Sequence, residues 1–241
     1  MNLSYSILIF IGLLIGLSSC KNNDEVFAPV INTNLTVVNA SADTLNFYLN
    51  GTRQNNTSSL FPDGSVVDIT VPAGLQNYQF KKAGAFTVLF SIPLNLRGVA
   101  ASLTDTIYNS LYVAGESSSL SFSTLDTLLV DTQQNMSTIR FVNASPDAGS
   151  VNVFVGDTVN FMARAFKSSS GFLAAGSGLK EVKVYLANNS TSPQIDTSLT
   201  FLPNQIYTLF TKGLINGKGN SKFDVGLVVN SQPTVTTNEE L

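Results

Sequence analysis

Four blocks of this 241-residue chain recur in the same order, and that duplication limits what it can fold into more than any other feature. Leu35–Asp43 (LTVVNASAD) aligns with Ile139–Asp147 (IRFVNASPD), 104 positions further on. After two extra residues in the second copy, Leu45–Asn50 (LNFYLN) aligns with Val151–Gly156 (VNVFVG). Val71–Gly74 answers Leu173–Gly176, and Ser110–Gly115 answers Thr208–Gly213. Two homologous units follow, with boundaries at 34–132 and 137–230. The short polar stretch 133–136 joins them, and the tail 231–241 offers little to bury.

Within each unit the apolar residues fall at every second position, the spacing of strands with one buried face. Val151, Val153 and Val155 share one face, with Asn152 and Phe154 on the other. Leu45, Phe47 and Leu49 do the same, with Tyr48 outward. Val67, Ile69 and Val71 form an inward set, as do Val182, Val184 and Leu186, which alternate with Lys183 and Tyr185. Phe86–Phe90 (FTVLF) is uniformly apolar and reads as a central strand. Asn50-Gly51, Pro62-Asp63-Gly64 and Asn216-Gly217 supply turns between such runs. No stretch after residue 20 holds a helical apolar period over three turns. The expected fold is all-β: two tandem antiparallel β-sandwich domains.

Ahead of them, Ile7–Leu17 is an apolar run too short to cross a bilayer, which takes roughly 20 residues. It is followed by Leu17-Ser18-Ser19-Cys20, and the combination resembles a bacterial lipoprotein signal, although residues 1–6 carry no Lys or Arg. The resemblance implies removal of residues 1–19 and acylation of Cys20, the only cysteine, whose sulfur would take the lipid. Residues 20–33 then form a lipidated tether, and the protein belongs to the bacterial cell envelope, on the outer membrane. Asp24-Glu25 resembles a surface-export signal of some Gram-negative lipoproteins, or is an ordinary solvated linker.

Composition narrows the partners. Charged residues are 12% of the chain and the net charge is −3, so the clustered cations of a nucleic-acid binder are missing. Lys81-Lys82 is the one adjacent basic pair. Histidine is absent, and so is any second cysteine, which excludes Ser-His-Asp and Cys-His catalysis and removes the usual zinc ligands. No Asp-x-Asp calcium loop occurs, and no cofactor is expected.

Ile139–Asp147 and Ile206–Gly213 (IYTLFTKG) resemble the domain-of-unknown-function 4397 family, found in bacterial lipoproteins and secreted proteins. The second copy follows the pattern nearly throughout. The first is looser, with Ala42 in place of the proline and a longer excursion at 92–107. The resemblance implies an Ig-like or transthyretin-like sandwich at the cell envelope and assigns no activity.

Asn39 and Asp43, with Asn143 and Asp147, are the residues that recur at the strand-to-strand corner. They are expected to hydrogen-bond backbone groups within that corner rather than to act on a ligand. Tyr48 and Phe154 are matched outward aromatics, fit for cross-strand packing or for a ligand or domain contact. Thr44, Thr106, Thr127 and Thr158 each follow an aspartate and precede an aliphatic residue. That form resembles a bacterial O-glycosylation acceptor, and it also suits a plain strand start. The reading is a non-catalytic envelope lipoprotein, a binding or scaffolding module with a protein or glycan partner. The alternative is an accessory subunit of a nutrient-uptake or adhesion system. A glycoside hydrolase built on two carboxylates stands behind both.

Overall fold

The structure is a computed structural model that describes residues 31–55, 58–98, 106–128, 136–189 and 191–230. The first copy contains β1 (Asn32–Asn39), β2 (Leu45–Leu49), β3 (Thr52–Arg53), β4 (Ser65–Pro72), β5 (Gly74–Lys82), β6 (Phe90–Leu96), β7 (Thr106–Val113) and β8 (Ser121–Leu128). The second contains β9 (Met136–Asn143), β10 (Val151–Val155), β11 (Val159–Arg164), β12 (Leu173–Gly176), β13 (Gly178–Leu186), β14 (Ile195–Phe201), β15 (Ile206–Lys212) and β16 (Asp224–Asn230). Among the described residues there is no α-helix, only two 3-10 turns.

Four sheets result, ordered β4-β1-β7-β8 and β3-β2-β5-β6 in the first copy, and β12-β9-β15-β16 and β11-β10-β13-β14 in the second. Each copy is thus a two-sheet sandwich, and no described strand pairs across the copies. The sequence duplication is a duplication of topology. Pairing is antiparallel except at β1–β7 and β9–β15, which run parallel. In each copy the chain alternates between the two sheets, in the first from β1 to β2-β3, back to β4, across to β5-β6 and back to β7. Strand β7 and its counterpart β15 thus re-enter from the facing sheet and can lie parallel to the first strand.

Alternate residues explain the packing. Leu35, Val37, Phe47, Phe80 and Leu111 fill the first sandwich. Ile139, Phe141, Val153, Val184 and Leu209 fill the second. Phe80 stacks between Phe47 and Phe90, at 5.8 and 4.9 Å between centroids. The intervening residues are buried too. Val38, Tyr112, Val142, Phe210 and Val228 form a third cluster between the sandwiches. The β1/β7 sheet therefore lies face to face with the β9/β15 sheet, and the molecule is a stack of four sheets. Every residue of β15 is buried, as expected of a strand covered on both faces.

Arg140 sits in this seam with 1% of its surface exposed. Its Nε donates to Thr208 Oγ1 at 2.8 Å and its Nη2 to Ser110 Oγ at 2.9 Å, one hydroxyl from each copy. Toward the end of the seam, Lys167 Nζ donates to the Ser119 carbonyl at 2.7 Å, and Lys212 pairs with Asp63.

Two local readings are corrected. Val67, Ile69 and Val71 do not share a face. Leu35 pairs with Ile69 while Val37 pairs with Val66, so Thr36 faces both Val67 and Asp68 across a β-bulge. Asp68 takes φ +52°, its N–H donating to Thr36 Oγ1 at 3.3 Å. The extra residue switches the phase: Val66 and Ile69 pack on the first core, and Val67 packs on the seam cluster. Phe86–Phe90 is not a central strand either. Residues 85–89 are loop, Phe86 is 95% exposed, and only buried Phe90 enters β6, an edge strand. The other inward residues, Leu45, Phe47, Leu49, Val151, Val153, Val155, Val182 and Val184, are buried as read.

Tyr78 gives this fold a pH signature. It is fully buried in the first core, its hydroxyl has no hydrogen-bond partner there, and burial pushes its pKa up to about 12. The unfolded phenol ionises near 10. The folded state therefore holds the proton more tightly, and stability is intact below pH ~10 and falls as pH rises toward ~12. Burial raises Tyr112 as well, with the neighbouring Arg140 charge opposing. Tyr78→Phe should lessen the alkaline loss and, by removing an unpartnered buried hydroxyl, be neutral or stabilising by about 1 kcal/mol at pH 7. Denaturant melts between pH 7 and 12 measure both. An unchanged alkaline slope, or a clear loss at pH 7, would contradict it.

Candidate functional site

The corners separate into two kinds of residue. Asn143 is fully buried where β9 ends. Its Nδ2 donates to the carbonyls of Gly149 and Arg164, both at 2.9 Å, and its Oδ1 accepts from Ser145 N–H at 3.1 Å and Thr211 Oγ1 at 2.9 Å. Asn39 repeats the arrangement after β1, donating to the Asp43 and Leu60 carbonyls at 2.7 and 2.9 Å and accepting from Ser41 N–H at 3.0 Å. Both asparagines replace missing ladder bonds where a strand leaves its sheet. The aspartates do not close their own corners as expected. Asp147 accepts from Ile215 N–H at 3.0 Å, which ties the corner to the loop after β15. Asp43 pairs with Lys82 at 3.1 Å.

Lys82 also holds Glu116 at 2.9 Å, and Asp43 and Glu116 both line a crevice of about 170 Å³ where the corner loops of the two copies meet. Two carboxylates in a crevice are what a glycoside hydrolase requires, but one of them must act as a protonated acid. Here a single ammonium lies between them. Hydrogen bonds to Glu116 and then Asp43 raise the Lys82 pKa, which keeps the ammonium charged. The crevice is also smaller than ordinary ligand pockets of 300 Å³ or more. Among the described residues no three potential metal ligands cluster.

The outward face of the β11-β10-β13-β14 sheet is different. Phe154 and Tyr185 meet edge to face at 5.7 Å between centroids. With Met162, Asn152 and Lys183 they line an open hollow of about 310 Å³. Phe154 lies opposite Lys183, and Asn152 lies opposite Tyr185, in the β10–β13 ladder. Met162 arrives through a second bulge: Val151 pairs with Arg164 and Val153 with Phe161, leaving Met162 and Ala163 against Asn152. Ala163 takes φ +51°, and its N–H donates to Asn152 Oδ1 at 2.7 Å. The asparagine thus fixes the bulge that delivers Met162, 51% exposed, beside the rings. Lys183 is held at 2.8 Å by Glu181 and lies 4.0 Å from Asp196; the Glu181 hydrogen bond raises its pKa, with the two carboxylate charges adding and burial opposing.

Phe154 was legible as an outward aromatic, and alternation put Tyr185 outward. Met162 was not legible, because a bulge breaks the period that would have announced it. In the first copy the counterpart aromatic Tyr48 is covered by Lys81, whose Nζ lies 4.7 Å from the ring centroid. Of the threonines, Thr158 is exposed in the β10–β11 turn beside exposed Asp157. Thr44 is half-buried, and its carbonyl accepts from Ala83 N–H at 2.8 Å. Thr106 lies in β7 and Thr127 in β8, with side chains outside the described set. Cys20, the signal and tether, the linker residues before Met136 and the tail 231–241 also lie outside the described residues.

Fold and surface together define a tandem β-sandwich protein with an open aromatic hollow on its second copy. The sequence profile of a domain of unknown function (DUF4397) matches it twice, over residues 33–154 and 137–240. The chain belongs to that family. No curated protein matches it. Among solved structures it is similar to CBMbc, a family CBM26 module of Amy13K from Eubacterium rectale in complex with maltoheptaose. The two share 9% identity over 83% of this chain and 98% of that one, with a TM-score of 0.24.

The corners yield a direct test. Asn143→Ala strands two carbonyls, an N–H and a hydroxyl in the interior and should cost about 3 kcal/mol or more. Asp147→Ala loses one surface attachment and should cost about 1 kcal/mol. Equal losses in urea melts would contradict the division of labour between the two residues.

Proposed function

We propose that this protein is a bacterial envelope lipoprotein, held by acylated Cys20, that acts as a non-catalytic binding module. Its docking surface is the hollow formed by Phe154, Met162 and Tyr185, and its partner is a protein or a glycan. The observation that carries this reading is the contrast between the two copies. Equivalent outer sheets bear an aromatic, but only the second leaves its rings uncovered above a cavity of about 310 Å³. An open patch of aromatic and methionine surface marks a contact surface more often than a solvated one. The exposed Asp157-Thr158 turn joins the two strands that carry Phe154 and Met162, and its threonine is open to O-glycosylation by a host enzyme.

Cys20→Ser should move the protein out of the membrane fraction and abolish acyl labelling. Acylated protein with serine at position 20, or unlabelled wild type, would contradict the anchor. For the hollow, wild type and Tyr185→Ala are compared in two assays. One is migration through native gels containing soluble xylan, mannan or starch; the other is chemical cross-linking in intact cells. Retardation or cross-linking that the variant loses supports the hollow. Identical behaviour of both proteins in both assays removes it as a binding surface.

A further inference from the structure

We propose that the hollow on the second sandwich receives the Phe86 loop of another copy of this chain, so that the protein associates head to tail. This rests on the reading of the hollow as a docking surface and names its occupant. The loop between β5 and β6, residues 83–89, reads Ala-Gly-Ala-Phe-Thr-Val-Leu and carries no charge. Phe86 is 95% exposed at its tip and Val88 is 44% exposed beside it. The loop is nonetheless fixed by its backbone. Leu89 N–H donates to the Phe80 carbonyl at 2.8 Å, Ala85 N–H to the Lys82 carbonyl at 3.0 Å, and Ala83 N–H to the Thr44 carbonyl at 2.8 Å. It is a preformed apolar knob, so little ordering is left to oppose its docking.

The same chain carries a hole for it. The hollow is apolar at Phe154, Met162 and Tyr185, and its volume of about 310 Å³ exceeds that of one aromatic side chain. Knob and hole cannot meet within one molecule. The loop ends the outer sheet of the first sandwich, the hollow lies on the outer face of the second, and both inner sheets stand between them. The Lys81 ammonium beside the loop is opposite in sign to the net charge around the hollow. The rim of the hollow has two carboxylates, Glu181 and Asp196, against the single ammonium of Lys183. Beside the loop, Lys82 is already taken by Asp43 and Glu116, while Lys81, two residues before it, lies against the Tyr48 ring rather than a carboxylate. An apolar projection complementary to a pocket elsewhere on the same molecule makes a heterologous contact, which propagates into rings or filaments instead of closing as a two-fold dimer.

Disulfide trapping in the envelopes of cells making the full-length chain tests this. Val88→Cys marks the knob, and Asn160→Cys marks the hole, since Asn160 lies opposite Phe154 in the β10–β11 ladder and is exposed. The unsubstituted chain, which keeps Cys20, is the blank. With a mild oxidant the doubly substituted chain should give a ladder at multiples of its own mass. Each single variant should stay monomeric, and the two singles made in one cell should give dimers and nothing larger. Adding Phe86→Asp, at a position too exposed to disturb folding, should remove the ladder. Absence of a ladder overturns the proposal, and so does a dimer from Val88→Cys alone, which would mean that knob meets knob. Bands at masses that are not multiples of the chain overturn it too, while leaving the hollow as a docking surface for another protein. Failure of the hollow itself would show instead as Tyr185→Ala behaving like wild type.

Discussion

The buried seam between the two inner sheets is the contact on which the rest of this structure depends. A single sandwich of about 95 residues buries one face of each sheet and leaves the other to solvent. Here both faces of the inner sheets are covered, so β15 has no exposed residue and the later part of β1 and β9 is buried throughout. Tyr112 and Phe210 meet across the seam at 6.3 Å, in equivalent positions of the two copies. Arg140 is buried with them, at a desolvation cost that only saturated hydrogen bonding offsets. Ser110 from one copy and Thr208 from the other each supply an acceptor for it.

This constraint accounts for the low charge of the chain. Strands that bury both faces hold few ionised groups, Arg140 and Lys212 among them, and 12% charged residues is about half the usual share. It also leaves only the two outermost sheet faces and the loop ends for contact with anything else. The outer face of the first sandwich covers its aromatic with Lys81, and that of the second opens into the Phe154–Tyr185 hollow. The outer faces have diverged between copies whose cores have not.

Much of the fold was legible because duplication and period two are both written in residue order. The matched blocks placed β1 with β9 and β7 with β15, and alternation at 151–155 and 182–186 gave the buried valines correctly. The seam was not legible: it shows in sequence only as strands without alternation, and FTVLF at 86–90 has the same look while being a loop with an exposed tip. Two bulges defeated the period elsewhere. The one at Val67–Asp68 turned Val67 toward the seam, and the one at Met162–Ala163 delivered a methionine to the candidate site. A bulge depends on a partner strand, so no local pattern announces it. The corner asparagines were read rightly as structural. The aspartates beside them are structural too, but not with partners in their own corner, because those partners, Lys82 and Ile215, lie far along the chain.

If the seam unites the two sandwiches, they should unfold as one. Native-state amide hydrogen exchange in increasing denaturant measures this directly, strand by strand. The slowest amides of β1 and β9, one in each copy, should converge with those of β15 on a single free energy of opening and a single denaturant dependence. Slow amides in the first copy that open at a separate, lower free energy than those of β9 and β15 would contradict it. The molecule would then be two independent sandwiches that happen to touch.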